Sequence, residues 1–371
     1  MNARVADGYA TGRHAVGDDI AQALLHWFDR HGRHDLPWQH PRTPYRVWVS
    51  EIMLQQTQVA VASGYFLRFM AAFPTLAELA AADEDQVLAQ WSGLGYYSRA
   101  RNLHRAARQC VQQHGGELPR DLDGLLALPG IGRSTAGAVL AQAHGERVAI
   151  LDGNVRRVLC RLHGLHGTPG SADLERRLWE LSTAQLPQQR LADYTQALMD
   201  FGATLCRRAR PDCAACPLRA RCVALREDLV AQLPQPRQRK PLPTRECVML
   251  VLLDRERRVL LQRRTKNGVW AGLWSLPECA DADRAEHWLR RHVRPGTAAA
   301  ILPSFEHVFS HYRLRVAPHR WVDCTPATVA DRADLRWATR DELRDIGLPA
   351  PVRRLLHGAL DEELEVSSCD A

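Results

Sequence analysis

Lysine is almost missing from this chain. Of its 49 lysine and arginine residues only Lys240 and Lys266 are lysines, so residues 1–239 hold none. Chemistry that runs through a lysine amine, imine formation above all, has no side chain to use in that stretch. Codon bias in a GC-rich genome would produce the same pattern without any functional cause. Long apolar runs are lacking too: none nears the roughly 18–20 residues that cross a bilayer. Residues 1–19 contain Asp7, Asp18 and Asp19 and no continuous apolar stretch, which fits neither a secretory signal nor an acid-poor transit peptide. The expectation is a soluble cytoplasmic protein with no membrane association.

What is present suggests two domains. At 371 residues the chain exceeds one ordinary core. Residues 1–239 carry 28 arginines against 23 acidic residues, while 240–371 carry 21 basic against 19 acidic. The first part is the better candidate for a surface that faces phosphate. Apolar residues recur at helical spacing in Ile20–Phe28, Val47–Phe69, Leu122–Ala143, Val155–Leu162 and Leu191–Leu205, an all-α pattern. Leu233–Thr244 holds four prolines and reads as an extended linker. Beyond it, Cys247–Leu253, Arg258–Arg263, Val308–Val316 and Arg320–Cys324 read as strands, and Asp283–His292 and Pro351–Leu360 as helices. The expected division is a flexible segment 1–17, an all-α domain 18–230, a linker 231–245, an α+β domain 246–360 and an acidic disordered tail 361–371.

Ten cysteines in such a chain argue against a disulfide scaffold. Six are scattered, but Cys206, Cys213, Cys216 and Cys222 fall within 17 residues just after a helical stretch. A loop that short can wrap four thiolates around one centre, either zinc or an iron–sulfur cluster. Leu128-Pro-Gly-Ile-Gly-Arg-Ser-Thr135 joins two helical stretches. Gly130 and Gly132 permit a tight turn with N–H groups free at the next helix's N-terminus, a place that holds phosphate. A plain helix connector would look the same.

Two carboxylates stand out. Glu51 sits on a helix near Trp48, Ile52 and Met53, where apolar neighbours would raise its pKa; a solvated helix-face glutamate is the bland alternative. Asp152 precedes a helical stretch, where the helix dipole favours the anion; a simple N-cap is its bland alternative. Sequence physics alone selects neither.

Resemblance does. Ser50-Glu-Ile-Met-Leu-Gln-Gln-Thr-Gln58, Leu151-Asp-Gly-Asn-Val155, the hairpin and the cysteine spacing resemble MutY-type adenine DNA glycosylases, relatives of endonuclease III. The resemblance implies a multidomain protein: an all-α helix–hairpin–helix DNA glycosylase domain with a [4Fe–4S] cluster loop, then an α+β Nudix-like domain. It implies a base excision repair enzyme that removes adenine opposite 8-oxoguanine, or opposite guanine, in double-stranded DNA. Glu51 would protonate the adenine, Asp152 would stabilise the oxocarbenium ion, and Cys206, Cys213, Cys216 and Cys222 would ligate the cluster. The nearby Arg207, Arg208 and Arg210 would meet the DNA backbone. Strand-cleaving relatives form a Schiff base through a lysine that follows the hairpin's Gly-Arg; this chain has Ser134 there. Base excision by water, without a lyase step, is therefore expected.

The family pattern also suggests how the lesion is read after base flipping. Gln56 and Tyr96 match residues that enter the stack beside 8-oxoguanine, with Thr57 and the Leu94 backbone contacting it. Trp38 and Gln196 match positions lining the adenine pocket, and Gln39 stands where the family often has arginine. Gly272-x5-Glu278 matches the start of the Nudix signature, but Arg290 and Arg291 stand where two metal-binding glutamates belong. Recognition rather than diphosphate hydrolysis is expected. Phe309-Ser-His-Tyr312 resembles the 8-oxoguanine-sensing loop, with Ser310 and His311 reading the altered edge. A monomer associated with the bacterial nucleoid is expected; the sequence names no protein partner.

Overall fold

The computed structural model describes residues 8–236, 241–265, 267–294, 296–326 and 333–366. In chain order the first helices are α1 (Gly8–His31), α2 (Pro44–Leu54), α3 (Val59–Ala72), α4 (Leu76–Ala81), α5 (Glu84–Trp91) and α6 (Ser98–Gln113). There follow α7 (Leu122–Leu126), α8 (Arg133–His144), α9 (Gly153–His163), α10 (Ala172–Ala184), α11 (Leu191–Asp200) and α12 (Val223–Arg226). The remaining elements are β1 (Thr244–Leu252), β2 (Val259–Arg263), β3 (Trp274–Ser275), β4 (Glu278–Cys279), α13 (Ala282–His292), β5 (Val293–Arg294) and β6 (Thr297–Ile301). Last come β7 (Phe305–Val308), β8 (Arg313–Val322), β9 (Thr325–Pro326), β10 (Leu335–Ala338) and α14 (Ala350–Val366). Among the described residues no helix is long and apolar enough to cross a membrane.

Two compact units result: Met1–Ala80 with Arg105–Arg239, and Ala81–His104 with Lys240–Ala371. In the first, Leu24 and Phe28 of α1 join Val155 and Leu159 of α9, Leu178 of α10 and Tyr194 of α11 in one core. Each such side chain contributes about 2–3 kcal/mol on burial. Asp200, fully buried at the end of α11, accepts from Arg33 N at 2.7 Å and from Arg33 Nε at 2.9 Å. Arg33 Nη2 donates as well, and Gln196 Nε2 adds a fourth donor at 2.7 Å, so the buried charge is matched. The Val47–Phe69 periodicity is split in the structure. Thr43 caps α2 through its side-chain oxygen, and the helix ends at Leu54; Gln56 then turns left-handed at φ 60° before α3 starts.

In the second unit β1 is buried from Cys247 onward, as a central strand covered on both faces should be. It runs parallel to β8 from Thr244↔Arg313 to Leu252↔Trp321, giving the sheet order β4-β1-β8-β6 with β7 also on β8. A second sheet orders as β10-β2-β3. The expected strand Val308–Val316 is instead two strands around a turn, closed by Phe309 N donating to Tyr312 O at 2.9 Å. Its aromatic and polar residues suit either state, so local pattern does not mark the reversal.

Residues 81–104 lie inside the stretch assigned to the helical domain by sequence, yet they pack with the strand-rich part. Ser92 Oγ donates to Leu348 O at 2.7 Å, and Asp85 accepts from Arg263 Nη2 at 2.7 Å and Trp274 Nε1 at 3.3 Å. At the ends, α1 starts at Gly8 and α14 runs to Val366, covering part of the segments 1–17 and 361–371 left without structure by the sequence. A formed helix propagates more easily than it starts, so cores at Ile20–Phe28 and Val352–Ala359 carry it outward. Residues 1–7, 237–240 of the linker and 367–371 of the tail lie outside the described residues.

Candidate active site

The first unit brings Glu51 and Asp152 into one site. Glu51 projects from α2, which packs on α8, and α8 supplies Gln142, whose Nε2 donates to Glu51 Oε1 at 3.3 Å. Glu51 is half-buried, and loss of water pushes its carboxyl up to about 8, helped by the charge of Asp152 and opposed by the Gln142 hydrogen bond. Among the described residues no basic side chain forms an ion pair with it. A carboxyl in this state is protonated at neutral pH and can act as an acid.

Asp152 is the N-cap of α9 and accepts from Val155 N at 2.7 Å. The helix terminus does not decide its ionisation as expected from sequence. Burial raises its pKa, outweighing the N–H groups of Val155 and Asn154 and the charges of Arg157 and Arg156. The two arginines are also spent elsewhere. Arg156 pairs with Glu175, and Arg157 donates to Asn154 Oδ1, Gly202 O and Cys206 O at 2.7–2.9 Å. Asp152's charge adds to the burial that holds the proton on Glu51.

Ser134 connects this site to the hairpin: its Oγ accepts from Leu151 N at 3.0 Å, next to Asp152. Gly130 holds φ 82°, the left-handed turn anticipated between α7 and α8. Gly132 is the N-cap of α8, with no side-chain cap and open space where its Cβ would stand, so no capping side chain occupies the start of α8.

The cysteine loop leaves α11 through a π-helical turn, Phe201–Leu205, that ends at Cys206. Gly202 approaches Asn154 so closely that a Cβ would lie 2.6 Å from the Asn154 Cβ. Buried Arg161 fastens the loop, donating to Leu233 O at 2.9 Å, Arg207 O at 2.7 Å and Arg208 O at 3.1 Å, with Cys206 Sγ at 3.5 Å. The thiols lie near one another: burial raises Cys216 to about 11, and Cys206, Cys222 and Cys213 add to it. Among the described residues no group of three or more His, Cys, Asp or Glu side chains stands in metal-binding geometry. The donor set itself, four half-buried free thiols in one loop, suits a thiophilic centre.

Residues 49–184 match the HhH-GPD superfamily of base excision DNA repair proteins, and residues 248–358 match the NUDIX domain. The chain is 34% identical to the adenine DNA glycosylase of Buchnera aphidicola subsp. Acyrthosiphon pisum over 338 residues, spanning 91% of this chain and 96% of the relative. It is 32% identical to the human adenine DNA glycosylase over 398 residues, spanning 90% of this chain and 72% of the human protein. The chain belongs to the adenine DNA glycosylase family. Among solved structures, a thermostable thymine-DNA glycosylase matches 58% of this chain and 98% of its own length, with TM-score 0.52 and 26% identity. An endonuclease III–DNA complex matches at TM-score 0.50 and 22% identity, a likeness of fold alone. As a member of the family it is a base excision repair enzyme acting on DNA, with a helix–hairpin–helix domain followed by a Nudix-like α+β domain.

Other expected residues are placed as follows. Gln56 and Tyr96 are both exposed and both left-handed, at φ 60° and 48°. Non-glycine residues hold that backbone at a cost, and functional positions are where such strain collects. Thr57 is half-buried, and its N–H donates to Leu54 O. Leu94 is buried; its N–H donates to Trp91 O and its carbonyl accepts from Arg99 Nη2. Trp38 is buried edge-on against Phe66, 5.5 Å between ring centres. Gln39 spends its amide on its own loop, accepting from Leu36 N and donating to Arg33 O. Gln196 is buried with its Oε1 unmatched among the described residues.

Within the second unit, Tyr96, Ser310 and His311 line one cavity of about 370 Å³, along with Arg101, Trp270 and Phe309. Ser310 and His311 are exposed at its rim, with Ser310 Oγ 3.3 Å from His311 Nδ1. Glu278 accepts from Arg264 at 2.5 Å, and on α13 Glu286 accepts from Arg290 at 2.5 Å. Sequence reasoning missed Gln142, the Ser134 tie, Arg157, Arg161 and Trp270. Their long-range partners lie 17 to 91 positions away, and nothing local in the sequence marks them.

Proposed function

We propose that this enzyme hydrolyses the N-glycosidic bond of adenine paired with 8-oxoguanine, and with guanine, in duplex DNA, without cleaving the strand. The observation that supports it most is the pair Glu51 and Asp152, two carboxyls in one site, with Glu51 held protonated at neutral pH by burial and by the charge of Asp152. Protonated Glu51 gives its proton to a ring nitrogen of the flipped adenine. The bond from C1′ to the base breaks, and its electron pair leaves with the adenine. Asp152, already anionic and with its neighbouring arginines engaged elsewhere, stabilises the cation at C1′. Water adds to C1′ and passes a proton to the Glu51 carboxylate, which restores the acid.

Phosphate binding at Gly130, Gly132 and the start of α8 would hold the strand, while Gln56 on the first unit and Tyr96 on the second are each proposed to contact the base stack. Trp38 and Gln196 belong to the adenine side of this reading, and Gln39 serves by holding the loop that carries Trp38. Ser310 and His311 read the partner base. Cys206, Cys213, Cys216 and Cys222 would hold a [4Fe–4S] cluster, which when bound supplies cross-linking of the loop that bears Arg207, Arg208 and Arg210. Pairing of Glu278 and Glu286 with arginine supports recognition, not hydrolysis, as the role of the Nudix-like unit.

The test is a duplex assay with adenine opposite 8-oxoguanine, adenine opposite guanine, and thymine glycol, read with and without hot alkali. Breaks should form only in the adenine strand and only after alkali. Cleavage at thymine glycol, or a high yield of borohydride-trapped protein–DNA adduct, would refute the reading.

A further inference from the structure

Trp270 is strained and deeply placed, and nothing in the reaction described above uses it. Its backbone is left-handed at φ 57°, between Gly268 at 89° and Gly272 at 76°, although a bulky side chain disfavours that region. Such a conformation persists only when its surroundings fix it. Here they do. Its ring is buried, 5.1 Å from Phe309 and 5.6 Å from His307 between centres. Next to it, Ala271 O accepts from Arg101 at the start of α6, and Gly272 N donates to Thr265 O at 3.2 Å.

Phe309 is the aromatic anchor of the turn that carries Ser310 and His311. Its ring also meets His307 at 4.6 Å and Tyr312 at 4.7 Å, while the turn's own closure is the bond from Phe309 N to Tyr312 O. The loop 268–272 therefore touches both walls of the 370 Å³ cavity: the 309–312 turn through Trp270, and the Tyr96–Arg101 segment through Ala271. A core tryptophan would need neither the left-handed backbone nor a place on the cavity wall.

We propose that Trp270 is a positioning residue for lesion discrimination: it fixes the turn bearing Ser310 and His311 at a set distance from Tyr96. The proposal rests on the reading of Ser310 and His311 as the groups that sense the partner base. Acting on the separation of two recognition segments, it governs which partner base is preferred, not the rate of bond cleavage itself.

The experiment uses the full chain and single-turnover excision of adenine opposite 8-oxoguanine and opposite guanine. Trp270→Ala should lower the ratio of the two rates about tenfold, the scale of two lost ring contacts, and leave the guanine-partner rate within about twofold. Trp270→Phe, which keeps a ring for Phe309, should recover most of the ratio. A Ser310→Ala/His311→Ala double variant is the control for the underlying reading and should also lower the ratio. If that double variant lowers the ratio while Trp270→Ala does not, or if Trp270→Ala slows both substrates equally, the positioning role is wrong. If the double variant leaves the ratio unchanged, the sensing role fails, and the proposal falls with it.

Discussion

Two carboxyls in each unit of the molecule have opposite surroundings. Glu278 and Glu286, in the Nudix-like unit, each accept from an arginine at 2.5 Å. Glu51 and Asp152, in the helical unit, have no ion pair of their own among the described residues, and the arginines beside Asp152 are turned to Glu175 and to backbone carbonyls. An arginine clamp cancels a carboxylate's charge and fills its lone pairs, so the group cannot bind a cation without losing its partner. Withdrawal from water without a clamp does the reverse: it raises proton affinity and leaves oxygen free to meet a substrate. On the proposed reading, the same functional group is reactive in the helical unit and only a structural partner in the Nudix-like one.

Removing the unclamped pair should produce the largest effects. Glu51→Gln is expected to slow single-turnover adenine excision about 10³-fold, within the usual reach of a general acid. Asp152→Asn should cost about 10²–10³-fold through lost charge at the cation while keeping the helix cap, because asparagine caps a helix as well as aspartate. Near-native rates for either variant would erase the contrast between the units.

A smaller effect is thermodynamic. The folded carboxyl of Glu51, near 8 against an ordinary 4.5, binds protons more tightly than the unfolded one. Its contribution is thus intact below about 4.5 and is lost as pH rises toward 8. Glu51→Gln should therefore match the wild type in urea unfolding near pH 4 and exceed it by on the order of 3–5 kcal/mol near pH 9. Equal stability at both ends would mean that Glu51 is not held away from water.

Much of this was legible in sequence where chemistry depends on short spacing. The cysteine quartet, the Leu128–Thr135 hairpin and the capping position of Asp152 each lie within one segment, and the structure forms the turn and helix starts that those residues favour. What escaped depends on distant neighbours. The break at Gln56 interrupts a stretch whose apolar spacing continues through it, because periodicity reports faces and not the direction of the backbone. Residues 81–104 carry ordinary helical patterning and reveal nothing of Leu348 or Arg263. Asp152 shows the limit most clearly: its helix-terminal position was visible, but the burial that overrides the dipole comes from tertiary packing.

The central claim is that Glu51 is the unclamped acid of the site. Its most direct test is the pH dependence of single-turnover adenine excision on a duplex with 8-oxoguanine opposite, with wild-type enzyme saturating the DNA. The rate should hold up to about pH 8 and then fall about tenfold per unit as Glu51 loses its proton. A rate that stays level or rises between pH 7 and 10 would contradict it.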